Sequence, residues 1–86
     1  MSYRIFYHPR AKSFLKKIAK TDFEDLVAKL DLLGENPYHR SLDIKKISGQ
    51  KDFYRLRYRK IRVVYQVDKE KRIVYVLEID FRGNVY

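Results

Sequence analysis

The sequence predicts an α+β domain of order β-α-α-β-β-β, with a helical hairpin packed on one face of a mainly antiparallel, twisted sheet. Three observations lead there. Apolar residues recur twice at helical spacing between residues 9 and 33. Phe53 to Tyr58 and Ile61 to Val67 are rich in aromatic and β-branched residues whose faces alternate with the period of a strand. The connections between these later segments, Arg59-Lys60 and Asp68-Lys69-Glu70-Lys71, are tight and polar.

The first element spans Tyr3 to Tyr7, where Tyr3, Ile5 and Tyr7 alternate with Arg4, Phe6 and His8 as in a short strand. Pro9 ends it and suits the first turn of a helix. Ala11, Phe14, Leu15 and Ile18 form the core-facing stripe of that helix, and Arg10, Lys12, Lys16, Lys17 and Lys20 make its outer surface basic. Thr21-Asp22-Phe23-Glu24 has the form of a capping box, with Thr21 as the cap and Glu24 reaching back. Phe23, Leu26, Val27, Leu30 and Leu33 then supply a second stripe. Gly34 suits a C-terminal stop, and Asn36-Pro37 prevents continuation. Helices joined so closely form an antiparallel hairpin on one side of the sheet.

Pro37 to Ser41 reads as loop. Leu42 to Ile47 fits neither period well and reads as a short strand or extended segment, closed by Ser48-Gly49. In Phe53 to Tyr58, Tyr54, Leu56 and Tyr58 share one face, and Phe53, Arg55 and Arg57 the other. In Ile61 to Val67, Ile61, Val63, Tyr65 and Val67 oppose Arg62, Val64 and Gln66. With Arg59-Lys60 as a two-residue loop, Arg57 lies directly across from Arg62. Arg72 to Asp80 is apolar on both faces, with Ile73, Tyr75, Leu77 and Ile79 on one and Val74 and Val76 on the other. That marks a central strand covered on both sides.

Composition narrows the function. A chain of 86 residues makes one domain with a modest core, and a hydrophobic fraction of 45% argues against disorder. Lysine and arginine outnumber acidic residues 20 to 11, which favours a polyanionic partner such as nucleic acid. The charge is concentrated in Arg55 to Arg62, where five residues are basic and no acidic residue occurs between Asp52 and Asp68. Like charges placed opposite each other on a sheet are destabilising, so a chain that builds such a cluster has an anion to put there. The arginine-bearing face is expected to look away from the helices as an open, positively charged surface.

Other chemistries find little support. Cysteine is absent, which excludes disulfides, thiol nucleophiles and thiolate metal sites. His8 and His39 stand alone, no cluster has metal-ligand spacing, and there is no glycine-rich phosphate loop. Glu78 and Asp80 share a strand face, but balancing nearby arginines suits them better than paired acid-base catalysis. No secretory signal and no apolar run of about 18 residues is visible, so a cytoplasmic protein with no membrane contact is expected.

Arginines with interleaved tyrosine suit phosphate chemistry. The guanidinium is a planar fork of donors that matches phosphate oxygens in pairs. Fixed on strands, such forks stabilise the charge of a phosphoryl transition state without a metal or other cofactor. RNA brings its own nucleophile, the 2′-hydroxyl, and its splayed bases stack on aromatic rings. From the residues alone, binding without catalysis remains the simpler reading.

Lys46-Ile47-Ser48-Gly49, Phe53-Tyr54-Arg55-Leu56-Arg57, Arg62-Val63-Val64-Tyr65 and the closing Asp80-Phe81-Arg82-Gly83-Asn84-Val85-Tyr86, in this order and spacing, resemble the RelE branch of the RelE/ParE toxin superfamily. The resemblance covers the whole chain as a single RelE-like toxin domain, residues 1–86. It implies a type II toxin that enters the ribosomal A site and cuts mRNA there by metal-free 2′-hydroxyl attack. It also implies a cognate RelB-like antitoxin that wraps the toxin and, with it, binds their operator DNA.

Carried over by position, Arg55 and Arg57 match the family's basic pair before the hairpin. Arg62 matches the arginine that stabilises the transition state, Arg82 the residue that assists the departing 5′-oxygen, and Tyr86 the tyrosine that orients or stacks on the substrate. Arg59, Lys60 and Phe81 flank these as substrate-binding residues. Better-known members carry lysines where this chain has Arg55 and Arg57. Arginine does not give up its proton, so charge stabilisation is the role expected of this pair, and the general base is unassigned. A second branch uses a Glu/His pair, and Phe81 stands in the neighbourhood of that histidine. Two alternatives stay open: a ParE-like DNA gyrase inhibitor on the same scaffold, and a non-catalytic basic RNA-binding module.

Overall fold

The computed structural model describes residues 2–81. Strand β1 (Arg4–Tyr7) leads into helices α1 (Pro9–Lys17) and α2 (Lys20–Glu35). Strands β2 (Asp43–Lys46), β3 (Phe53–Tyr58), β4 (Ile61–Asp68) and β5 (Ile73–Phe81) follow. The segment before the hairpin is therefore a strand, and the five strands form one sheet of order β1-β5-β4-β3-β2. β1 runs parallel to β5, and every other pairing is antiparallel.

The helix boundaries differ from the sequence reading at two places. α2 starts at Lys20 with Ala19 in the cap position and no side-chain cap bond, so Thr21 and Glu24 lie inside the helix and form no capping box. The Phe23 N–H already bonds the Ala19 carbonyl at 2.9 Å, which places the first helical turn two residues early. Gly34 lies inside the helix, with Asn36 as its C-cap. Its use is close approach: a Cβ there would come within 3.3 Å of the Ile5 Cδ1, and the Tyr3 N–H donates to its carbonyl at 2.6 Å. α1 follows expectation, with Pro9 in its first turn and the His8 ring accepting from the Arg10 N–H at 3.1 Å.

The core sits between the helices and one face of the sheet. Ala11, Leu26, Leu30 and Leu33 bury against Leu56, Ile61, Val63, Tyr65, Val67, Val74, Val76 and Ile79. Phe23, expected in the stripe, stays 40% exposed, and burial along α2 begins at Leu26. Tyr65 is fully buried, and its hydroxyl donates to the Pro37 carbonyl at 2.6 Å. That bond ties the sheet to the loop after α2 and satisfies the phenol in the core.

β5 departs from simple alternation. Val64 lies opposite Glu78 but Tyr65 lies opposite Val76, so Leu77 is an extra residue, a β-bulge. The bulge exchanges the faces partway along the strand. Val74, Val76 and Ile79 share the helix side, opposite Val67, Tyr65 and Val63, while Tyr75, Glu78 and Asp80 share the open side. The grouping of Ile73, Tyr75, Leu77 and Ile79 on one face is thus corrected, since one inserted residue breaks a period of two.

Candidate functional site

The site grows out of the β3–β4 hairpin. Tyr58 pairs with Ile61, leaving Arg59 and Lys60 as the loop. Arg59 takes the left-handed conformation at φ 54°, a geometry that costs a residue with a Cβ about 1–2 kcal/mol. Its guanidinium carbon lies 5.4 Å from the Tyr58 ring centroid, and the Lys29 Nζ lies 5.3 Å from the same centroid. The Tyr58 hydroxyl donates to the Asp25 carboxylate at 2.7 Å, which holds its pKa above the usual range. The hairpin tip is thereby braced on α2.

Behind the tip, the register builds a row across four strands. Asp43 lies opposite Arg57, Arg57 opposite Arg62, and Arg62 opposite Asp80. The next row on the same face is Lys45, Arg55, Val64 and Glu78. The two arginines expected to face each other do so, and a carboxylate stands at each end of their row. Arg62 donates to Asp80 through Nε at 3.3 Å and Nη2 at 3.1 Å, a bidentate pair. Its two side chains are 29% and 32% exposed. Arg57 is exposed, and Arg55 is half-buried with its Nη1 removed from solvent.

Asp80 balances Arg62, the role expected of it from the sequence, and Asp43 adds a carboxylate that the sequence did not place on this face. In the two rows, four cationic side chains meet three carboxylates, Asp43, Glu78 and Asp80. A charge count along residues 52–68 sees only neighbours in sequence, whereas pairing imports carboxylates from β2 and β5. The carboxylates explain how Arg57 and Arg62 tolerate one another. Asp80→Asn should accordingly destabilise the fold by about 1 kcal/mol in urea denaturation. The loss should nearly vanish in an Arg62→Ala background, as a coupled pair requires.

Phe81 is not brought to the arginines. It lies opposite Ile61, on the helix side of the sheet, with its ring 5.0 Å from that of Phe14. With Asp22, Arg59, Lys60 and Ile61 it lines a cleft of about 250 Å³ at the hairpin end. The structure therefore gathers Arg55, Arg57 and Arg62 on one face and puts Arg59 and Lys60 at the tip of the hairpin that carries them. Arg82 and Tyr86 lie outside the described residues. Two features escaped the sequence reading: Asp43, and an aromatic pair, Phe6 with Tyr75, on the open face. For Phe6 a signal existed, because alternation placed it with Arg4 and His8, away from the core.

Among the described residues no group of three or more histidine, cysteine or acidic side chains is placed to hold a metal ion. No helix there is long and apolar enough to cross a membrane.

Residues 3–86 match the family model of the ParE toxin of type II toxin-antitoxin systems. The chain belongs to that family. Within it, this toxin is RelE-like. A Methanocaldococcus jannaschii protein bearing the toxin name RelE1 is 29% identical over 87 residues, covering 100% of this chain and 97% of its own. The Pyrococcus horikoshii RelE-RelB complex contains a chain of TM-score 0.84 and 27% identity, covering 96% of this toxin and 98% of that chain. The intact Escherichia coli RelBE complex contains one of TM-score 0.80 and 30% identity, covering 93% and 96%. The five-stranded sheet with two helices is thus the RelE architecture, and the arginine face belongs to a toxin scaffold.

Proposed function

We propose that this toxin is a ribosome-dependent mRNA endonuclease, cutting mRNA in the A site without a metal and so halting translation. The observation that carries the reading is the cross-strand placement of Arg57 opposite Arg62, with Arg55 on the same face. In the step, the ribose 2′-oxygen attacks the adjacent phosphorus and the bond to the 5′-oxygen breaks. The 2′-hydroxyl gives up its proton to water and the departing 5′-oxygen takes one up, so the products are a 2′,3′-cyclic phosphate and a 5′-hydroxyl. Charge builds on the phosphate oxygens, and preset guanidinium donors meet it without reorganising.

Arg62 has the central role. Asp80 engages two of the five donors that a guanidinium carries and fixes its plane. Arg55 and Arg57 act as charge stabilisers, not bases. Arg82 is assigned to the departing 5′-oxygen and Tyr86 to the substrate nucleotide. Arg59 and Lys60, exposed at the hairpin tip, meet flanking phosphates of mRNA or ribosomal RNA. Phe81 serves the hairpin-end cleft rather than the phosphate. The net charge of +9 draws the protein to a polyanion. A RelB-like antitoxin is the cognate partner, supported by the RelB-bound relatives, and the complex binds its operator. Cytoplasmic location follows from the ribosome as target.

The matching family model carries the ParE name, which favours gyrase inhibition as a second reading. The arginine set on the open face supports the nuclease instead. Primer extension on translating ribosomes decides between them. A-site cuts are expected, and DNA damage with translation intact would sink the nuclease reading.

A further inference from the structure

Beyond the arginine rows, a third row crosses the open face. Phe53 lies opposite Gln66, Gln66 opposite Tyr75, and Tyr75 opposite Phe6, spanning β3, β4, β5 and β1. It shares the arginines' side of the sheet, because Phe53, Arg55 and Arg57 alternate together on β3, as do Gln66, Val64 and Arg62 on β4. The Phe6 and Tyr75 rings stack with centroids 6.0 Å apart and planes inclined by 27°. Phe6 is 47% exposed, more than any other large apolar side chain among the described residues.

A single exposed phenylalanine needs no explanation. This one is held by a second ring, on the face that carries Arg55, Arg57 and Arg62. Four residues of strand separate Phe53 from Arg57, about 14 Å, so the aromatic row lies beyond the phosphate in contact with Arg62. A ligand with anionic groups along one line and flat rings beside it is a single-stranded nucleic acid.

We propose that Phe6 and Tyr75 form a stacking platform for a base of single-stranded RNA flanking the cut. The assignment rests on RNA being the substrate, as proposed above. The base lies on the exposed face of Phe6, and its backbone runs from there towards Arg55 and Arg62. The platform fixes the strand's direction across the sheet while the arginines hold the reacting phosphate.

The test compares wild type, Phe6→Leu and Phe6→Trp on ribosomes programmed with mRNA that is intact or lacks one base next to the cut, each abasic position in turn. Affinity for a short single-stranded RNA is measured alongside. Leucine keeps the apolar bulk but removes the π-face, and tryptophan restores it. Phe6→Leu should raise KM on intact mRNA about tenfold, in line with base-aromatic stacking, with kcat little changed and Phe6→Trp at or below the wild-type KM. At one abasic position, wild type and Phe6→Leu should become indistinguishable. Equal cutting by wild type and Phe6→Leu on intact mRNA overturns the platform and leaves the nuclease reading standing. A Phe6→Leu defect confined to antitoxin binding also overturns it. Wild type that never cuts, yet binds RNA in a Phe6-dependent way, sinks the nuclease reading and upholds the platform.

Discussion

Replacing Arg62 with alanine is expected to abolish growth arrest and to slow A-site cutting by about 10²–10³-fold, the usual effect of removing one transition-state donor. The side chain sits in the middle of the row, opposite Arg57 on one side and bound to Asp80 on the other. Its plane is therefore set before any RNA arrives. Arg62→Lys should recover little, because a single ammonium cannot reproduce two parallel bonds. Arg57→Ala should cost less, since Arg57 is exposed and its charge is more fully screened. The fold and antitoxin affinity should survive Arg62→Ala, with the melting temperature lowered only by the roughly 1 kcal/mol that a part-exposed ion pair contributes. Arg82→Ala should also relieve toxicity. Growth curves and primer extension on the same variants check both, and full toxicity of the Arg62 and Arg82 variants would show that the phosphate binds elsewhere.

The largest stability effect is expected at Tyr65. It is fully buried, stacks on Tyr54 with centroids 5.7 Å apart and bonds the Pro37 carbonyl. Tyr65→Ala should cost about 3–5 kcal/mol, a large part of what a domain this small possesses. Tyr65→Phe separates the bond from the packing: it keeps the ring and leaves the carbonyl without its donor, for about 1–3 kcal/mol. The melting temperature should fall about 4–8 °C for each kcal/mol lost. The two variants also differ from wild type in alkali. Burial first, then the neighbouring tyrosines, raise the Tyr65 phenol above its ordinary value of 10.0 in the fold. The unfolded chain ionises at that ordinary value, so the stabilisation is complete below pH 10 and is lost as pH rises beyond it. Urea denaturation at rising pH should show a shallower alkaline loss for Tyr65→Phe than for wild type. Parallel losses would mean that another group carries the effect.

Much of this architecture is written in local pattern. Alternation in Phe53 to Tyr58 and Ile61 to Val67, with two polar residues between, sets both the faces of β3 and β4 and the pairing of Arg57 with Arg62. Pro9 and the spacing of Ala11, Phe14 and Leu15 likewise place α1. Each of these depends on residues a few positions apart, so a linear reading reaches them. The motif matches along β3, β4 and the closing segment were enough to point to the toxin family.

What only the tertiary structure decided depends on residues far apart in the chain. The start of α2 at Lys20 overrode the capping pattern of Thr21 and Glu24. The bulge at Leu77 reversed the faces of β5, and one inserted residue leaves no mark in an apolar run. The position of Phe81 against Phe14 depends on where α1 packs. Above all, the carboxylate of Asp43 reaches the arginine face only through the pairing of β2 with β3, 14 positions from the Arg57 it flanks. Side-chain order along a strand is local, and the sequence determines it. Which strand lies alongside, and therefore which charges and rings meet, is set by sheet topology.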